Sequence, residues 1–111
     1  GHFRAQASFN GRPTPILVDT GATYVALGET DARRLGISVA PGDFRYKANT
    51  ANGSTAAALA RIGRLRIGTA ELRDVEAMVL KGDLDQVLLG MSFLGRLRSV
   101  GMRDGVLELT P

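Results

Sequence analysis

Phe3, Ala5, Ala7 and Phe9 alternate with polar residues, and Asn10-Gly11 follows at once. Period-two alternation marks a strand with one buried face. Asn-Gly marks a two-residue hairpin turn, because both central positions of a type I′ turn need positive φ. The returning strand, residues 14–18, holds the apolar run Ile16-Leu17-Val18 and ends at Asp19-Thr20-Gly21. A chain that spends its first twenty residues this way is building a sheet from hairpins.

The rest repeats the theme. A short strand at residues 24–27 leads into residues 29–35, where Glu29 and Asp31 precede Arg33 and Arg34, the polarity a helix macrodipole favours; Gly36 is the expected stop. After Pro41-Gly42 the pattern predicts a second hairpin over residues 44–54, with a flexible Asn52-Gly53 tip and a long continuation to Ile67. Gly68-Thr69 turns the chain into a strand over residues 72–80. Residues 86–90 read as a short apolar strand, and residues 91–95 as one to two helical turns. Residues 97–102 and 106–109, joined through Asp104-Gly105, predict a third hairpin. Seven or eight short strands with little helix indicate an all-β barrel or sandwich.

At 111 residues, with 44% hydrophobic and 23% charged residues, this is the composition of one ordinary globular domain, residues 1–111. The absence of Cys excludes a disulfide framework, a thiolate nucleophile and a zinc site built on sulfur. No apolar run approaches the roughly 20 residues that span a bilayer. The chain opens on a strand pattern, as a piece of a longer protein stripped of an anchor or signal would. Its net charge of +3 is spread along the chain, with Arg61, Arg64 and Arg66 the one place where three basic residues fall within six, and its six aromatics are scattered. A nucleic-acid module would show a basic stripe with stacking aromatics, so no nucleic-acid partner is expected.

Asp19 is the anomaly. An ionised carboxylate at the end of an apolar strand is costly unless it is hydrogen-bonded or belongs to a site that uses it. Locally, both explanations stand: Asp before Thr-Gly can cap its own turn through backbone N–H groups, or it can serve chemistry. Few competitors exist. His2 is the one histidine and lies at the terminus, which leaves little for a Ser-His-Asp or multi-histidine arrangement. Asp83 and Asp85 beside Gly82 lack a calcium loop and read as turn residues. No metal or cofactor is expected.

The string hydrophobic-hydrophobic-Asp-Thr-Gly-Ala at residues 17–22, with Asn10-Gly11 before it, the Asp-Ala-x-x-Leu-Gly helix at residues 31–36, and Leu-Leu-Gly-Met-Ser-Phe-Leu at residues 88–94, resembles the retropepsin-like aspartic peptidases, in particular their bacterial branch. The likeness covers essentially the whole chain. It implies a small closed barrel, the acid-protease lobe, with a flap hairpin and one or two short helices. It also implies an endopeptidase in which two carboxylates share one proton and activate water. One Asp-Thr-Gly supplies half of such a site, so a homodimer would bring two Asp19 side chains together on its two-fold axis, with an acid-shifted pH optimum.

The resemblance further implies roles. Thr20 would hold the two loops together across the dimer, Gly21 would admit the substrate backbone, and Ala22 would stay small beside it. Thr50, Ala51, Asn52, Gly53 and Ser54 would form the flap over an extended peptide, the lesser alternative being an ordinary surface hairpin. Leu88, Leu89 and Gly90 would brace the catalytic loop, or simply fill the core. Pocket specificity would rest on side chains such as Val25, Leu27, Met78 and Leu80. In the retroviral pattern an Asp after the Ala pairs with an Arg after the later Gly; here Thr23 and Met91 stand there, so that brace is missing. The alternative from another class is a peptide-binding or structural dimer module of the same fold, against which the intact Asp-Thr-Gly argues. By the same analogy the protein would be periplasmic or membrane-tethered, through a segment not in this chain.

Overall fold

The computed structural model describes residues 2–50, 53–97, 99–103 and 106–110. Strands β1 (His2–Phe9) and β2 (Arg12–Asp19) form the first hairpin in continuous register, Phe9 opposite Arg12. There follow β3 (Val25–Gly28), α1 (Glu29–Arg34), a 3-10 turn (Pro41–Asp43), β4 (Tyr46–Thr50), β5 (Gly53–Ile67), β6 (Ala70–Leu80), β7 (Val87–Leu89) and α2 (Met91–Leu94). The final strands, β8 (Ser99–Arg103) and β9 (Val106–Thr110), pair in a sheet of their own. The expected turn of that hairpin, Asp104-Gly105, lies outside the described residues.

The large sheet runs β1-β2-β7-β3-β6-β5 and closes on itself where Ser8 and Phe9 of β1 meet Arg66 and Leu65 of β5. The result is the expected all-β closed barrel with two short helices. β4 is the exception: it pairs with β5 and projects as a hairpin. Two pairings are parallel, β2 with β7 and β3 with β6. β7 is thereby threaded between β2 and β3, so the chain leaving β2 must cross the end of β7 to begin β3. β2 has β7 as a neighbour only at residues 16–18. Pro13 and Pro15 therefore fall where one edge of the strand needs no ladder donors, the place where a sheet tolerates proline.

Alternation fills the barrel. Phe9, Ile16, Val18, Val25, Leu27, Ile62, Leu65, Val75 and Leu89 are fully or almost fully buried, joined by Phe93 and Leu94 of α2 and by Ala32, Leu35 and Ile37 around α1. Each large side chain so buried contributes roughly 1.5–3 kcal/mol.

Asn10 ties three elements together. Its backbone is left-handed, with φ of 53°. Its Oδ1 accepts from the Arg64 N–H at 3.0 Å, and its Nδ2 donates to the Leu35 carbonyl at 2.9 Å. Asn10→Ala is expected to cost about 2 kcal/mol, from two lost hydrogen bonds and from placing alanine in a left-handed conformation that asparagine tolerates better. Urea midpoints measure it, and Asn10→Gly should recover only the conformational share.

Candidate active site

The apolar run that carries Asp19 has two faces. Ile16 and Val18 point into the core, while Leu17 and Asp19 share the opposite face and are half-buried. The register then lines up Leu17 of β2, Leu88 of β7, Ala26 of β3 and Met78 of β6 side by side on that face. The charge sits in an apolar string because the strand turns it away from the core.

Local bonds fix its direction. Asp19 Oδ1 accepts the Gly21 N–H at 2.9 Å, and the Asp19 carbonyl accepts the Ala22 N–H at 3.1 Å. The turn-capping explanation is therefore correct as far as it goes. A carboxylate has about four lone-pair sites, so a cap does not use up its chemistry.

Residues 20–24 cross the end of β7, and the segment after β7 supports them from beneath. Met91 N–H donates to the Ala22 carbonyl at 2.8 Å, and Ser92 N–H donates to the Thr23 carbonyl at 2.7 Å. Gly90 lies so close that a Cβ there would stand 2.2 Å from the Tyr24 carbonyl oxygen and 2.8 Å from that of Ala22. Leu89 is core, whereas Leu88 lies on the outer face.

The β4–β5 hairpin overhangs this face. Its register runs from Tyr46 opposite Ala57 to Thr50 opposite Gly53. Near the tip, Thr50 Oγ1 donates to the Gly53 carbonyl at 2.7 Å and Ser54 Oγ to Asn49 Oδ1 at 3.1 Å. Ala51 and Asn52 lie outside the described residues. Two grooves lie on this face, sharing Thr50, Leu80, Leu84 and Leu88. One, about 590 Å³, has Ala22, Tyr24, Ala26 and Met78 along one side and Lys47 to Thr50 of β4 along the other. The second, about 390 Å³, includes Leu17, Gly53, Ser54 and the loop at residues 83–86.

The expected site residues thus converge in part. Ala22, Thr50, Gly53, Ser54 and Leu88 line the two grooves; Asp19, Thr20 and Gly21 line neither within a single chain. Thr20 and Gly21 are exposed. Of the four side chains expected to set pocket specificity, Met78 and Leu80 line a groove, whereas Val25 and Leu27 are fully buried. Strand alternation hands that position on β3 to Ala26. Ala26, Tyr24 and Lys47 were not foreseen as lining residues, although alternation between Val25 and Leu27 would have exposed Ala26. Among the described residues, no group of three or more His, Cys, Asp or Glu side chains is placed to hold a metal ion, and no helix is long and apolar enough to cross a membrane.

The family model described as "gag-polyprotein putative aspartyl protease" matches residues 5–96. The chain belongs to the retropepsin-like aspartic proteases. A retropepsin-like aspartic protease from Rickettsia conorii superimposes with a TM-score of 0.78 at 36% identity, covering 96% of this chain and 88% of that one. The EIAV protease complexed with the inhibitor HBY-793 shares the fold at a TM-score of 0.63 and 16% identity, with 86% of each chain covered. Uncharacterised proteins of a Sinorhizobium species and of Rickettsia prowazekii are 42% and 38% identical over 110 and 109 residues. This retropepsin-like chain spans about half, 47%, of the length of both.

Proposed function

We propose that this chain is an aspartic endopeptidase that works as a homodimer. One observation carries the reading: Asp19, in its Asp-Thr-Gly turn, shares the outer sheet face with the row Leu17, Leu88, Ala26 and Met78, beneath a projecting hairpin. An extended peptide laid along that face under β4 and β5 would be held by main-chain pairing, with its side chains in the grooves on either side of Leu88. Two Asp19 carboxylates, one from each chain, would share a proton. One takes a proton from water while the other polarises the scissile carbonyl, so a tetrahedral centre forms without a metal or covalent intermediate. That Asp19 lines neither groove in one chain suits a group that acts only opposite its copy. Thr20 and Gly21, both exposed, would lie at the junction.

The deciding experiment is cleavage of a diverse peptide mixture, read by mass spectrometry at acidic and at neutral pH. Wild type should cut, and Asp19→Asn should fall by about 10³-fold or more, the scale of lost acid–base catalysis. Absence of cuts from wild-type protein shown to be dimeric would favour the peptide-binding module instead.

A further inference from the structure

The loop that carries Asp19 is held by its neighbours more than by itself. Within residues 19–25 the Ala22 N–H donates to the Asp19 carbonyl and the Gly21 N–H to Asp19 Oδ1. Residues 90–92 bind the other half of the loop. Met91 N–H and Ser92 N–H take the Ala22 and Thr23 carbonyls. Ser92 adds a side-chain bond on each side: its Oγ accepts the Val25 N–H at 2.9 Å and donates to the Glu76 carbonyl of β6 at 2.7 Å. One hydroxyl therefore joins the start of β3, the middle of β6 and the first turn of α2. The next two residues, Phe93 and Leu94, are buried in the core.

We propose that Ser92 is a positioning residue for the reaction: it sets the height of residues 22–25 above the barrel, and through them the placement of the Asp19 carboxylate toward its dimer partner. This rests on the peptidase reading above. Four features favour positioning over mere stability. Ser92 touches the loop and not the grooves. Its hydroxyl is used in both directions, as donor and as acceptor, so its orientation is determined. The two backbone groups it serves, Val25 N–H and Glu76 C=O, belong to different strands, so losing it releases one against the other. Finally, the adjoining Met91 side chain is exposed and uncharged, so Met91 adds no ion pair to the link. Displacements well below 1 Å matter in such a site, because catalytic efficiency falls steeply with the alignment of the reacting groups.

The test compares Ser92→Ala, Ser92→Cys and Ser92→Thr with wild type at protein concentrations where each is fully dimeric. Ser92→Cys preserves the shape but weakens both bonds, and carries the test if the alanine variant does not fold. Expected is a fall in kcat of about tenfold or more for Ala and Cys, with KM within about twofold, and recovery of kcat with Thr, which keeps the hydroxyl. Added salt should not change the ratio to wild type, since no ionic bond is involved. Hydrogen exchange supplies a readout independent of activity: the Val25 amide should exchange at least about tenfold faster in Ser92→Ala, while amides on the β1–β2 hairpin stay unchanged. A folded Ala or Cys variant with wild-type kcat, or a loss confined to KM or dimer affinity, overturns the proposal. If wild type cuts nothing, the peptidase reading fails, and unchanged exchange at Val25 would then reject the positioning of the loop separately.

Discussion

Gly90→Ala is expected to lower stability by about 3 kcal/mol and to remove any peptidase activity with it. The reason is space and not backbone freedom, for Gly90 has φ of −105°, a value any residue adopts. A Cβ would stand 2.2 Å from the Tyr24 carbonyl oxygen and 2.8 Å from that of Ala22, and both obstacles are backbone. Neither can swing aside as a side-chain tip would. Relief requires lifting residues 22–24 off α2, which breaks the bonds from Met91 and Ser92 N–H groups. Chemical denaturation gives the stability change, and circular dichroism shows whether the barrel survives. Gly21→Ala is the control. Its Cβ would meet only the Asp19 Oδ1 at 3.3 Å, a contact the carboxylate can yield, so the fold should persist. Equal destabilisation at the two glycines would refute the view that, of this pair, Gly90 is the one where packing excludes a Cβ.

The difference between these glycines marks what the sequence could reveal. Strands with a core face were legible because alternation is a local property: Phe3 to Phe9 and the Asn10-Gly11 turn predict the first hairpin without reference to anything distant. Helix α1 was legible from Glu29, Asp31, Arg33 and Arg34. Partnership between distant strands was not. Nothing in residues 87–89 says that they insert between β2 and β3 in parallel and antiparallel register, yet that insertion is why the Asp19 loop must arch over Gly90. Motif likeness could put Gly90 near the site but could not say what it touches. Ser92 was hidden for the same reason: its partners, Val25 and Glu76, lie 67 and 16 residues away. Val25 and Leu27 were misassigned to the pockets because the face of a short strand is decided by its neighbours, and a one-residue shift exchanges core for groove.

Mixing wild-type protein with Asp19→Asn and allowing subunits to exchange should leave about one quarter of the dimers with both carboxylates when the two are equal in amount, by random pairing across a two-fold interface. Cleavage per total protein should follow that quarter. The substitution suits the experiment because Asn retains a carbonyl oxygen to accept the Gly21 N–H that Asp19 Oδ1 now accepts at 2.9 Å. Asp19 also lies on the outer, half-buried face, away from the packed core. Fold and dimerisation should therefore survive, and the mixed dimer should fail chemically, since one carboxylate cannot both accept the proton of water and supply one to the carbonyl. Activity against wild-type fraction distinguishes the mechanisms by its curvature. A square law places the two halves of the site on different chains. A straight line, with about one half remaining at equal amounts, would mean that each chain carries a complete site of its own.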